Sequence, residues 1–294
     1  FSCLKVAGDV ELSRVLMEKW LCQCVAMAHN EKGCFGADGV LTLRGPHGIG
    51  KTSFFKKCCA VGLDYFMEGA SLDGSKDKLM ESTSVWIGEL GELPRSMKDL
   101  DSVKAFITSP SDKFRTPYAK KAEIYPRLTS FGATTNSDSF LKEEGERRFW
   151  VIDAEDIDLN RLNQVSFEAV WAEAYERYKV FGQMSFRLSK NERARLNAAN
   201  RQFRIISEEE ALLQEKLDWN QPRDQWKEFT ATAICDRIAF GRHISSVKIG
   251  KALRNIGYSK GNKEYPMRIK DGFPVYLTPS KIYLIAASEE VNNE

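Results

Sequence analysis

The chain has 294 residues, enough for one large domain with an appendage or for two domains that each bury a core. Its net charge of +2 is close to balance, so any affinity for nucleic acid has to come from local patches and not from bulk charge. No apolar run approaches the length of a membrane span and no basic-then-apolar segment opens the chain, so we expect a soluble, cytoplasmic protein with no membrane partner. The seven cysteines, Cys3, Cys22, Cys24, Cys34, Cys58, Cys59 and Cys235, lack the paired C-x-x-C spacing of a zinc site. Reduced thiols are expected, with Cys22 and Cys24 as helix packing. The opening Phe1-Ser2-Cys3-Leu4 reads as mid-sequence, as in a fragment of a longer protein.

Apolar residues from Val10 to Met27 recur at helical spacing, which predicts one or two packing helices. After a loop over Glu31 to Asp38 comes the apolar run Val40-Leu41-Thr42-Leu43, then Gly45-Pro46-His47-Gly48-Ile49-Gly50-Lys51-Thr52-Ser53. This fits the phosphate-binding pattern G-x-x-x-x-G-K-[ST] between a predicted strand and a helix running to about Ala60. Glycines let the backbone wind so that its N–H groups converge on phosphate oxygens beside a helix N-terminus. Lys51 adds a point charge to those phosphates and Thr52 offers a hydroxyl to magnesium, so ATP and Mg2+ are the expected ligands. We count Gly45 to Ser53 as the nucleotide-binding residues.

Ser84 to Glu89 reads as a strand ending in a carboxylate, with Glu92 three residues on. An acid delivered by such a strand orients the magnesium shell and activates water, and both glutamates qualify. We assign Glu89 to the metal shell and Glu92 to the base; capping of a following helix is the alternative for either. Asp101 to Thr108 reads as a short helix. Lys113, Arg115, Tyr118, Lys120, Lys121 and Arg127 then crowd into a stretch extended by Pro117 and Pro126. This basic hairpin or loop suits a DNA backbone, with a solvated edge hairpin as the bland alternative. Leu128 to Asn136 predicts another buried strand whose terminal Asn136 can reach the γ-phosphate and the attacking water, or else cap a helix over Asp138 to Lys142.

Arg147 and Arg148 precede a further core strand, Phe149 to Ile152, and Asp158 to Phe181 reads as one amphipathic helix. Leu188 to Lys216 looks like a helical connector, and Asn220-Gln221-Pro222 marks a boundary. Beyond it, Phe229 to Cys235 and Ser245 to Leu253 predict helices and Val275 to Leu277 a strand. Arg237 to Lys270 holds nine basic residues against the single acid Glu264, so a helix-turn-helix with a β wing is the economical reading.

With these pieces in place the chain resembles the virulence-associated protein E family of phages and mobile elements, related to superfamily 3 helicases of the AAA+ class. The likeness is carried by Gly45 to Thr52, Trp86 to Leu93, Phe114 to Tyr118, Ala133 to Asn136 and Arg147 to Trp150, in that order. The resemblance implies an AAA+-like α/β core with a parallel sheet, Glu89 and Glu92 as its acidic motif and Asn136 as γ-phosphate sensor. It implies that Arg147 or Arg148 is a finger reaching a neighbour's ATP. The pattern departs from the family in one place, since the usual adjacent Asp-Glu pair is replaced by acids three apart.

The expected organisation is an N-terminal helical segment (1–36), a P-loop ATPase core (37–185), a connector (186–226) and a basic winged-helix-like domain (227–294). The function expected is an ATP-driven DNA translocase or helicase replicating a mobile element. A finger needs a neighbour, so a homo-oligomeric ring follows; the partners expected with it are the other copies of a hexamer, single-stranded DNA in a central channel, and a primase or other replication domain upstream. The competing readings are an origin-binding regulatory module with a nucleotide switch, and a P-loop phosphotransferase.

Overall fold

The computed structural model describes residues 1–59, 62–70, 76–91, 106–115, 121–141, 146–216, 227–238, 244–255, 275–276 and 282–285. They fall into two compact units, Phe1–Arg204 and Ile205–Glu294.

The first unit opens with β1 (Leu4–Val6), followed by one continuous helix, α1 (Val10–Ala28), where the spacing allowed one or two. The Asp9 side chain accepts the Leu12 N–H at 2.9 Å and so starts α1. Next come β2 (Val40–Arg44), α2 (Lys51–Cys58), β3 (Phe66–Met67), α3 (Lys76–Ser82) and β4 (Ile87–Leu90). A two-stranded hairpin of β5 (Ser111–Phe114) and β6 (Glu123–Pro126) precedes β7 (Ser130–Thr135) and β8 (Phe149–Ile157). The unit ends with α4 (Leu159–Asn163), α5 (Phe167–Phe181) and α6 (Lys190–Asn200).

Six strands form the main sheet in the order β1-β8-β2-β7-β4-β3. All pairs are parallel except β1 with β8, so the expected parallel sheet is mixed at one edge. β1 covers the carboxyl-terminal part of the nine-residue β8, pairing with Ala154 to Ile157, and so shortens the open row of backbone groups there. Apolar side chains on successive residues feed two faces. Trp150 and Ile152 join Leu41, Leu43 and Trp20 on one side, whereas Phe149 and Val151 join Val40, Phe131 and Phe203 on the other. Burial of both faces is what parallel strands with crossover helices require.

Three expectations change. The helix predicted over Asp158 to Phe181 breaks at Gln164 to Ser166, because the Ser166 hydroxyl accepts the Ala169 N–H and starts α5 afresh. No helix occupies 138–141: the N–H groups of Phe140 and Leu141 donate to Phe203 O at 2.9 and 3.0 Å. The connector begins inside the first unit, where α6 buries Leu196 in the main core and the Asn200 amide donates to Phe149 O at 2.9 Å. Of the thiols, Cys34 alone is exposed; burial pushes those of Cys24 and Cys58 far up and that of Cys59 to about 11.

The second unit comprises α7 (Glu208–Lys216), β9 (Lys227–Thr230), α8 (Ala231–Ile238), α9 (Ser246–Asn255), β10 (Val275–Tyr276) and β11 (Ile282–Ile285). Its sheet is antiparallel in the order β10-β11-β9. Phe229 and Thr230 belong to a strand and not to the predicted helix, and β11 was not foreseen. In α9, Ile249, Ala252 and Leu253 are buried at helical spacing while Val247 and Lys251 are exposed.

Candidate nucleotide-binding site

The loop from Gly45 to Thr52 leaves the carboxyl end of β2 and turns into α2. A Cβ at Gly45 would lie 2.1 Å from Ala154 O, so only glycine lets β2 and β8 approach there. Gly48 and Gly50 have φ of 80° and 95°, the left-handed winding that brings successive N–H groups to one side. Gly50 is the N-cap of α2 and supplies no side-chain cap, so the first-turn N–H groups have no capping side chain competing for them. The Lys51 ammonium folds back over the loop, donating to Gly45 O at 2.8 Å and Pro46 O at 2.7 Å.

A cleft of about 290 Å³ opens beside this loop, with Lys51, Thr52 and Ser53 on one wall and Thr134, Thr135 and Asn136 on the other. His47, Gly48 and Gly50 also line it, whereas Ile49 packs against the core. Asn136 is exposed at the end of β7, and with 138–141 non-helical it caps no helix among the described residues.

The acid expected on the next strand is present. Glu89 is 1% exposed; its carboxylate accepts the Thr134 hydroxyl at 2.6 Å and the Gly69 N–H at 3.2 Å. β7 lies between the loop strand and the acid strand, so Thr134 connects Glu89 to the cleft. Thr134 escaped the sequence reading, although its alternation with Asn136 along β7 places both on one face. Glu92 lies outside the described residues, as do Tyr118 and Lys120. Among the described residues no three His, Cys, Asp or Glu side chains form a metal cluster. The donor set here, a threonine hydroxyl with one carboxylate nearby, suits a hard cation that takes its remaining ligands from phosphates and water.

Arg147 and Arg148 stand at the other end of the strands. They precede Phe149, which pairs with Val40 at the start of β2, whereas the loop follows Arg44 at its end. Four residue steps separate the two ends, about 13 Å of strand. β1 pairs with β8 only over Ala154 to Ile157, so the arginines lie at the strand end that β1 does not reach. Arg147 is exposed, and the buried Arg148 Nε has no partner among the described residues.

The basic stretch is a hairpin, with Phe114 and Tyr125 stacked at 4.5 Å and Lys113, Arg115 and Lys121 exposed. Arg127 leaves this patch: it is 1% exposed, forks onto Asp112, donates to Phe106 O at 2.8 Å and lies over the Phe106 ring at 4.0 Å.

Against known families, the model of the virulence-associated protein E-like domain matches residues 2–205, which is the extent of the first compact unit to within a residue at each end. Among solved structures, the chain is similar to an apo structure of the NrS-1 C-terminal region, with 15% identity and a TM-score of 0.39. That comparison covers 97% of this chain and 77% of that one. An A-form apo structure of the same region gives 12% identity, a TM-score of 0.37 and the same coverage. A comparison with curated proteins gives no match.

Proposed function

The chain belongs to the virulence-associated protein E-like domain family, and we propose that it is an ATP-hydrolysing DNA translocase or helicase of a phage or mobile element. The observation that carries this reading is the cleft, where a left-handed glycine loop with Lys51 and Thr52 faces Asn136, and Glu89 stands behind Thr134. In this reading the loop N–H groups receive the β- and γ-phosphates and Lys51 exchanges its two loop carbonyls for phosphate oxygens. Thr52 and Glu89 would hold Mg2+, which neutralises phosphate charge when bound. Glu92 is the proposed base, and the Asn136 amide orients the γ-phosphate and the attacking water.

Arg147 and Arg148 are too far along the strands to serve their own loop, which favours a finger role toward a neighbour and hence a ring, proposed as a hexamer. Single-stranded DNA is the proposed occupant of its channel, contacted by Lys113, Arg115, Tyr118, Lys120 and Lys121. The element order of the second unit, helix-strand-helix-helix-strand-strand, supports a winged-helix reading and keeps the origin-binding alternative in view. An upstream primase or other replication domain remains part of the proposal.

The test is ATP turnover with and without single-stranded DNA. Wild-type turnover should rise with DNA, and Lys51→Ala should abolish it while the thermal melt stays unchanged; unchanged turnover in that variant would refute the motor. Turnover that ignores DNA would favour the regulatory module. Mixing Lys51→Ala with an inactive Arg147→Ala, Arg148→Ala double variant should restore part of the activity. No recovery in confirmed mixed oligomers would remove the finger.

A further inference from the structure

Arg44, the last residue of β2, has no part in the phosphate pattern, yet its side chain ties β2 to β8 and to the segment that follows β7. It pairs in register with Asp153 on β8 and with Thr135 on β7, one residue before Asn136. Nη1 donates to Asp153 Oδ1 at 2.7 Å, and Nη2 donates to Asp138 Oδ1, two residues beyond Asn136. The guanidinium also lies 5.9 Å from the centre of the Phe203 ring. Phe203 in turn holds the same segment, since its carbonyl accepts the Phe140 and Leu141 N–H groups and its ring lies 5.9 Å from that of Phe140.

Ser137 makes local bonds to Thr135 and Ser139, and beyond these the segment that carries Asn136 is tied at Asp138 and at Phe140 to Leu141, both of which lead back to Arg44 or to the ring beneath it. A stability role alone explains this poorly. Asp138 is 81% exposed, so the pair adds little to folding, and the buried Arg44 Nε finds no partner among the described residues, which costs stability. What the fork does supply is direction. Two carboxylates on opposite sides are met by one planar group, a geometry that a lysine cannot reproduce.

We propose that Arg44 is a positioning residue for Asn136, clamping Asp138 and Asp153 so that the amide stands where a γ-phosphate would arrive. The proposal rests on the nucleotide reading of the cleft. It predicts that Arg44 matters for discrimination between nucleoside triphosphate and diphosphate more than for binding of the diphosphate, which the loop alone holds.

The experiment uses Arg44→Lys and Asp138→Ala, the second being a substitution at an exposed side chain that keeps the fold safe. Affinities for ADP and for a non-hydrolysable ATP analogue, steady-state turnover, and amide exchange over 136–141 are measured on each. ADP affinity should stay at the wild-type value, while preference for the analogue falls about fivefold and turnover about tenfold. Exchange at Phe140 and Leu141 should rise in both variants. Wild-type nucleotide preference, turnover and exchange in both variants would overturn the clamp. A wild-type protein that neither binds nor hydrolyses ATP would overturn the nucleotide reading first, and the clamp with it.

Discussion

Two buried charges, Glu89 and Arg127, sit near opposite ends of neighbouring strands and are treated in opposite ways. Arg127, at the base of the hairpin, is met by the forked carboxylate of Asp112, the Phe106 carbonyl and the Phe106 ring. Glu89, just behind the cleft, receives among the described residues only a hydroxyl and one backbone N–H, and no cationic side chain among them pairs with it. A charge balanced at home is scaffold. A buried carboxylate without a counter-cation is expensive unless one arrives from solution, and this is the physical ground for proposing Glu89 as a metal-shell residue.

The largest expected effect on that comparison comes from unbalancing the scaffold end. Arg127→Ala leaves Asp112 without its partner and should cost about 3–5 kcal/mol, lowering the melting temperature by about 10 °C. Replacing both members, Arg127→Met with Asp112→Leu, should recover most of the loss. A thermal melt checks both, and a single variant as stable as the wild type would show that Arg127 is not balanced as described. Glu89→Gln should behave differently: it removes an unpaired charge and keeps an acceptor for the Thr134 hydroxyl, while its amide NH2 can no longer accept the Gly69 N–H, so the two effects offset. Its stability should shift by about 1 kcal/mol or less.

The comparison also separates charges that composition alone had merged. Arg127 was read with the basic crowd because an arginine count cannot distinguish a guanidinium under two aromatic rings from one in water. The glycine loop between strand and helix was legible because its pattern lies in local spacing, and the place of Glu89 on a strand because an apolar run with an acid near its end is a local pattern too. Thr134 and Arg44 were not, since their partners lie 45 and 94 to 109 residues away in sequence. β1 was missed because three residues carry no periodicity. The helix expected from Asp138 is absent over 138–141, where Phe203, 62 or more residues downstream, takes the N–H groups of Phe140 and Leu141.

If the exposed part of the hairpin is the DNA-contacting face, Lys113→Glu with Lys121→Glu should weaken single-stranded DNA binding while turnover without DNA persists. The salt dependence of binding should flatten by about 0.7 for each phosphate that is no longer neutralised. An unchanged slope, measured by fluorescence anisotropy across salt concentrations, would return the hairpin to a solvated edge.

A small effect is also expected at a surface charge. Asp9 caps α1 and pairs with Arg195 at 2.7 Å. The Arg195 hydrogen bond first, and the Leu12 N–H next, hold its carboxyl below the usual range. Asp9→Ala should cost about 1 kcal/mol near neutral pH. Because the folded-state value is the lowered one, this contribution is complete above the ordinary carboxylate range and is lost as the pH falls through the lower folded value. Urea melts should therefore show the gap between wild type and variant closing in strong acid. A gap independent of pH would assign the effect to packing.

If Glu89 and the Gly45 to Thr52 loop form one nucleotide-hydrolysing site, a magnesium titration of ATP turnover should show the two acting together. Wild type and Glu89→Gln are assayed side by side across magnesium concentrations, with thermal melts confirming that both are folded. Glu89→Gln should need far more magnesium to bind ATP and should turn over at a small fraction of the wild-type rate. Wild-type turnover with the same magnesium requirement in a folded Glu89→Gln protein would contradict it.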